Sequence, residues 1–158
     1  MIRRFRLDDA QACRDVFVAA VRVGESGRYT ARELADWVKD PAMPVGYGAW
    51  LNQHITFVAE EEGIQGFMML EASGYLNMAF VRPEVMGKGV ADALYAALVT
   101  EAQALHLTRL HVLASRHAQS FFGRHGWRLA PEIRDIPGLD PDQGPQDTPL
   151  NRVMVLGV

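Results

Sequence analysis

The stretch Phe80-Val81-Arg82-Pro83-Glu84-Val85-Met86-Gly87-Lys88-Gly89-Val90-Ala91 carries the densest chemical signal in this chain. An alternating apolar segment runs into a Pro-terminated turn, then a Gly-x-Gly loop, then an amphipathic helix. Gly87 and Gly89 permit positive φ and a close backbone approach to a ligand. The first N–H groups of the following helix lack intrahelical acceptors and lie at the positive end of its dipole. Such a place binds a phosphate or pyrophosphate. A Gly-Lys-Ser/Thr phosphate loop is excluded, because Lys88 is followed by Gly89. A dinucleotide fingerprint requires a small residue at position 92, which is Asp92, and a parallel strand before the loop. The loop alone leaves open coenzyme A, a dinucleotide, or a connector whose glycines serve geometry only.

Other reactive groups are sparser. In the hairpin register set by Ser73-Gly74, Glu71 shares a face with Phe67, Met69, Leu76, Met78 and Phe80. A carboxylate on an apolar face acquires a raised pKa, which suits a general base; at the sheet edge the same side chain would reach solvent. Cys13 lies on an apolar helix face with no His nearby in sequence and reads as a core residue. The histidines His54, His106, His111, His117 and His125 include no i, i+4 pair on a helix, so no metal is expected.

The elements that position these groups follow from periodicity. Residues 2–6 read as a strand. Asp8 and Gln11 read as a capping box for a helix with Cys13, Val16, Phe17, Ala20 and Val23 on its apolar face. Residues 24–28 break that helix, and Thr30 with Glu33 caps the next, which carries Leu34, Trp37 and Val38. After a Pro/Gly loop, Trp50 and Leu51 sit on a short helical turn. From Ile55 the period becomes two, predicting an antiparallel meander of strands 54–60, 64–71 and 75–81. A helix over 90–106 turns Val90, Leu94, Ala97, Leu98, Ala102 and Leu105 inward. A strand at 108–114, a helix at 117–125 and an antiparallel pair at 127–133 and 150–156 complete one α/β domain over 1–158. The Pro-rich stretch 134–149 reads as a long loop of the functional or mobile kind.

Composition narrows the class. The chain has 158 residues, 49% hydrophobic and 22% charged, as in an ordinary globular domain. A net charge of −3 disfavours nucleic-acid binding, and no apolar run approaches the ~18 residues of a membrane span. The basic start leads directly into Asp8 and Asp9, so no signal peptide is expected. A single cysteine forms no internal disulfide. A cytoplasmic protein is the expectation.

The chain resembles the GNAT acetyltransferase superfamily. The family's pyrophosphate motif, Gln/Arg-x-x-Gly-x-Gly/Ala, lines up with Met86-Gly87-Lys88-Gly89-Val90-Ala91. A second motif, a strand, a small polar residue and a helix closing on aromatics and Gly-aromatic, is matched by Ser115, Ala118, Phe121, Phe122, Gly126 and Trp127. Asn151-Arg152-Val153-Met154 is similar to the family's last strand. The likeness spans essentially the whole chain and is strongest to the YafP-like branch, where Tyr29-Thr30 and Trp37 find counterparts.

The resemblance implies an α/β fold with a mixed, mostly antiparallel central sheet of about seven strands flanked by helices, and a splayed central strand pair. It implies acetyl-CoA as cosubstrate, no metal, and an amine of a small molecule or protein as acceptor; homodimers also occur on such folds. The pyrophosphate would sit on the amides of residues 87–91, and the backbone of Phe80 and Val81 would pair with the pantetheine arm. Ala118, Phe121 and Phe122 would complete the coenzyme site, and Tyr29, Trp37 and Trp50 one wall of the acceptor pocket. Two departures stand out. Met86 replaces a polar residue, and Phe122 stands where many relatives place a Tyr that protonates the departing thiolate. Ser115 is the best-placed substitute acid and Glu71 the candidate base; Tyr29, Tyr47 and Tyr75 are further hydroxyls. Asp135, Asp140, Asp142 and Asp147 against Arg134 would favour a cationic amine. The alternative reading is a catalytically weak acyl-CoA-binding or sensing protein on the same fold.

Overall fold

The computed structural model describes residues 1–133 and 151–158. Among them, β1 (Ile2–Arg4), β2 (Ile55–Glu60), β3 (Ile64–Leu70) and β4 (Leu76–Val81) form an antiparallel sheet in that order. A second antiparallel sheet has the order β5 (Arg109–Ala114), β7 (Arg152–Gly157), β6 (Arg128–Leu129). The helices are α1 (Ala10–Ala19), which continues into a π turn over Ala20–Gly24, α2 (Ala31–Trp37), α3 (Tyr47–Gln53), α4 (Val90–Ala104) and α5 (Arg116–Arg124). The acidic, Pro-rich stretch 134–149 lies outside the described residues. Among the described residues no helix is long and apolar enough to cross a membrane.

Alternation along β3 divides the interior in two. Phe67 and Met69 face Cys13, Val16, Phe17 and Leu51. Met68 and Leu70 face Leu94, Leu98, Leu110, Phe122 and Trp127. Cys13 is fully buried, and burial pushes its thiol up to about 12, so it is a core side chain and no nucleophile.

The two sheets meet at one point. β4 and β5 lie side by side in parallel and are joined by a bridge between Tyr75 and His111, where the His111 N–H donates to the Gly74 carbonyl at 3.0 Å. Beyond it the strands diverge toward their C-terminal ends. Gly74 has φ +93°, and a Cβ there would run into the Arg109 carbonyl. No other residue fits that joint. The His111 ring stacks on Tyr75 with 5.4 Å between centroids.

Several sequence expectations shift. Neither acid caps α1 with its side chain: a 3-10 turn over Leu7–Asp9 precedes the helix, and Asp9, at the N-cap position, turns its carboxylate back to accept the Arg6 N–H at 2.8 Å and the Arg3 guanidinium at 2.8 and 2.9 Å. Gln11 instead donates to Asp15 at 3.0 Å. Val23 is exposed because the π turn rotates it off the apolar face, and Leu105 is exposed just past the end of α4. Leu76 faces the α4 side, because a bulge at Asn77 pairs Met69 with Met78 but Leu70 with Leu76. The Thr30–Glu33 capping box forms as expected, at 3.1 and 2.8 Å.

His111 is buried, and neither ring nitrogen has a hydrogen-bond partner. Burial, then Arg109, holds its pKa below the ordinary value of 6.5. The unfolded chain therefore takes up a proton that the folded chain resists, so this group leaves stability intact above pH 6.5 and erodes it as pH falls below that value. Thermal melts from pH 7.5 to 5.5 should show a falling Tm, and His111→Phe, which keeps a ring against Tyr75, should flatten the slope. Identical slopes would exclude His111 as the source.

Candidate active site

The divergence of β4 from β5 leaves backbone groups without strand partners, and the register says which. Arg82 N–H donates to Gln65 O at 2.8 Å while Val81 pairs with Gly66, so Phe80 directs its N–H and C=O toward β3. Ala79 and Val81 direct theirs into the cleft. On the facing wall Val158 N–H donates to Thr108 O and His111 N–H to Gly74 O, which turns Leu113 toward the cleft as well. The expected pairing of a ligand with the Phe80 backbone is thereby corrected: Ala79 and Val81 offer the edge, while the Phe80 side chain packs on Phe17 at 4.8 Å.

At the open end of the cleft stands the N-terminus of α4. Gly87 and Gly89 have φ +78° and +85°, with open space where a Cβ would be. The first amide of α4 with a helical acceptor is Ala93, to Gly89 O at 3.1 Å, so those of Val90, Ala91 and Asp92 point outward. Gly87, Gly89, Val90 and Ala91 line a cavity of about 290 Å³ together with Met86, Phe121 and Arg124. Lys88 is exposed and absent from that lining, and its amide donates to Val85 O at 3.2 Å. Asp92 is held by a 2.8 Å contact with the His125 ring.

This cavity continues inward. A second, of about 100 Å³, shares Val81, Met86, Ala91, His117 and Phe121 with it. A third, of about 630 Å³, shares Ala79, Phe80, Ser115, Ala118 and Phe122 with the second. Phe122 is buried against Trp127, with 4.7 Å between ring centroids. Ser115 caps α5, accepting the Ala118 N–H at 3.3 Å, and is the one hydroxyl among the described residues to border both inner cavities. Trp37, Trp50 and Glu71 line the largest cavity, as do Tyr47 and Tyr75. Glu71 accepts a hydrogen bond from the Asn77 amide at 3.3 Å. Tyr29 is not on that wall. Its ring packs behind Trp37 at 5.5 Å, while its hydroxyl donates to Asn151 at 2.6 Å and accepts the Arg116 N–H at 3.0 Å.

Two groups escaped the sequence reading. Glu25 follows the π turn and is buried at the inner cavity, where the Ser115 hydroxyl donates to its Oε1 at 3.4 Å and Oε2 has no partner. Burial raises its pKa, with Arg28 and Ser115 opposing. Only the fold brings residues 25 and 115 together, so no local pattern marks it. Arg14 is different: it stands between Ala10 and Phe17 at helical spacing, a charge inside an apolar stripe that was visible in the sequence. Among the described residues no three His, Cys, Asp or Glu side chains gather as a metal-binding group.

A splayed strand pair, open amides at a helix N-terminus and a continuous cleft between them define an acyl-CoA-type transferase fold. The acetyltransferase (GNAT) domain family matches residues 28–135, and the chain belongs to that family. It is 26% identical over 136 residues, 84% of each chain, to the uncharacterized N-acetyltransferase YafP of Escherichia coli K12. In structure it is similar to a GCN5-related N-acetyltransferase from Rhodopseudomonas palustris, with TM-score 0.81, 24% identity and 100% and 95% of the two chains covered. It is also similar to the PaiA N-acetyltransferase of Thermoplasma acidophilum in complex with coenzyme A, with TM-score 0.75, 14% identity and 100% and 98% covered.

If the amides of residues 87–91 receive a pyrophosphate, charge there should matter more than shape. Gly87→Asp should weaken coenzyme A binding by about tenfold or more in calorimetry, while Gly87→Asn, of equal size and likewise tolerant of positive φ, should cost about threefold or less. Equal losses would point to backbone geometry instead.

Proposed function

We propose that this chain is an N-acetyltransferase that moves the acetyl group of acetyl-CoA to a primary amine by direct attack in the cleft between β4 and β5. The observation that carries the reading is the continuity of that cleft, from the open amides of Gly87, Gly89, Val90 and Ala91, past the strand edges, to the 630 Å³ cavity. The pyrophosphate takes the amides of Gly87, Gly89, Val90 and Ala91. The pantetheine arm adds to the Ala79–Val81 edge as a further strand would. The thioester then lies where Phe80, Ser115, Ala118 and Phe122 border both inner cavities, with the Ala79 N–H available to the oxygen that gains charge. The amine enters from the side of Trp37 and Trp50.

The amine nitrogen bonds to the carbonyl carbon and gives its proton to Glu71. The C–S bond breaks, and the thiolate must be protonated. Phe122 has no proton to give. Ser115 supplies one and recovers it from Glu25, whose burial favours the protonated carboxyl. The products are an N-acetylated amine and free coenzyme A, and both carboxyl groups re-equilibrate with solvent.

Titrating the protein with acetyl-CoA, desulfo-CoA and NADH in a thermal-shift assay tests the first half. At 100-fold excess over Kd, ligand binding contributes about 2.7 kcal/mol, or a rise in Tm of roughly 5–11 °C. Both coenzyme A compounds should shift Tm and NADH should not. Thiol release with a panel of amines tests the second half. Ser115→Ala should lower kcat by about 100-fold with the acetyl-CoA shift retained. Wild-type kcat should fall as pH rises through the raised Glu25 pKa, a limb that Glu25→Gln abolishes. Full kcat in Ser115→Ala would remove the relay. Tight acetyl-CoA binding with no turnover on any amine would favour the acyl-CoA-sensing alternative that Phe122 suggests.

A further inference from the structure

The 630 Å³ cavity holds a cation, Arg14, that forms no ion pair with the carboxylate on the same wall, Glu71. Arg14 rises from α1 into it, nine-tenths buried. One guanidinium nitrogen donates to the Asp40 carbonyl at 2.6 Å, and the group lies over the rings of Phe17 and Tyr47, 5.1 and 5.7 Å from their centroids. Among the described residues its Nε has no hydrogen-bond partner and no carboxylate pairs with it. The Tyr47 hydroxyl is buried beside it, and no acceptor among the described residues takes its proton. Burial raises the phenol's pKa, and Arg14 opposes that rise through its charge and a side-chain hydrogen-bonding contact; both groups line the same cavity. Two adjacent buried donors without an acceptor are costly unless something fills the site.

We infer that the acceptor amine also carries a carboxylate, which Arg14 and the Tyr47 hydroxyl bind, so that the acceptor is amino-acid-like. This rests on the acetyltransferase reading above. A planar guanidinium and a phenol O–H match the two oxygens of a carboxylate. Glu71 borders the same cavity and suits the ammonium group of such a molecule, and Trp37 and Trp50 present apolar walls to its side chain. Arg14 touches neither cavity on the coenzyme side, so a coenzyme phosphate is not its partner. An acceptor that is purely cationic, as the acidic 134–149 stretch suggested, would meet an uncompensated positive charge.

Binding is measured without turnover, so that failure of catalysis and failure of this inference separate. In the presence of desulfo-CoA, calorimetry compares L-amino acids with their carboxamides and decarboxylated amines, and with phosphoethanolamine. The expected result is at least tenfold tighter binding of one or more amino acids than of the matching amide. Arg14→Gln should erase that ratio and Tyr47→Phe reduce it about threefold, with the coenzyme A thermal shift unchanged in both. If Arg14→Gln does not fold, the Tyr47→Phe ratio decides. Equal binding of acids and amides, or no binding of any amino acid, overturns the inference. Tighter binding of phosphoethanolamine than of every amino acid overturns it in favour of a phosphate.

Discussion

Everything that makes this fold more than two packed sheets depends on one backbone joint. The His111 N–H and the Gly74 carbonyl tie the chain just before β4 to the third residue of β5, and the bridge does not propagate. Had the ladder continued, Ala79, Val81 and Leu113 would have paired across it and closed the space. Their unpaired groups instead create a requirement: a backbone donor or acceptor cut off from water without a partner costs about 1–3 kcal/mol. The gap must therefore stay wet or receive a chain of matching polarity. Gly74 and the stacked Tyr75 and His111 rings hold the hinge of the V, and α1 and α5 fill its two sides without closing it.

Much of this arrangement was legible in the sequence. Three hairpin-linked strands, the amphipathic α4 and the Gly87–Gly89 turn each carry their own local signal, and the Thr30–Glu33 box appears where its spacing placed it. What escaped was of two kinds. Some errors came from local irregularities: the bulge at Asn77 moved Leu76 to the other face, and the 3-10 turn at Leu7–Asp9 replaced the Asp8–Gln11 box with a bond from the Arg6 N–H to Asp9. Period counting is blind to an inserted residue. The other kind is non-local. Glu25 meets Ser115 across 90 positions of chain, and Tyr29 fixes the start of α5 across 87, so neither role has a local trace. Arg14 could have been found. A charge inside an apolar stripe is a local signal, and the spacing of Ala10, Arg14 and Phe17 carries it.

The site divides its electrostatics between its two ends. At the coenzyme end the positive field comes from backbone dipoles, Lys88 stands apart, and Asp92 is occupied by His125. At the acceptor end it comes from one buried guanidinium. Between them sit carboxyl groups in different settings: Glu71 bonded to an amide, Glu25 enclosed with one oxygen bare. In the proposed reaction Glu71 is the group that receives a proton and Glu25 the one that releases one. Phe122 adds an apolar wall beside them.

The order β5-β7-β6 has a consequence for how the molecule is assembled. The first sheet grows from neighbours nearly in chain order, with short hairpins between β2, β3 and β4, and can form as those segments become available. The second cannot. β7 follows β6 in the chain yet lies between it and β5, so neither of those strands has a partner in that sheet until residues 152–157 arrive. Until then the apolar sides of β5 and α5 have only part of their cover. On a ribosome, the first sheet would be complete while the second waits, and the cleft between them would be the last part of the protein to exist.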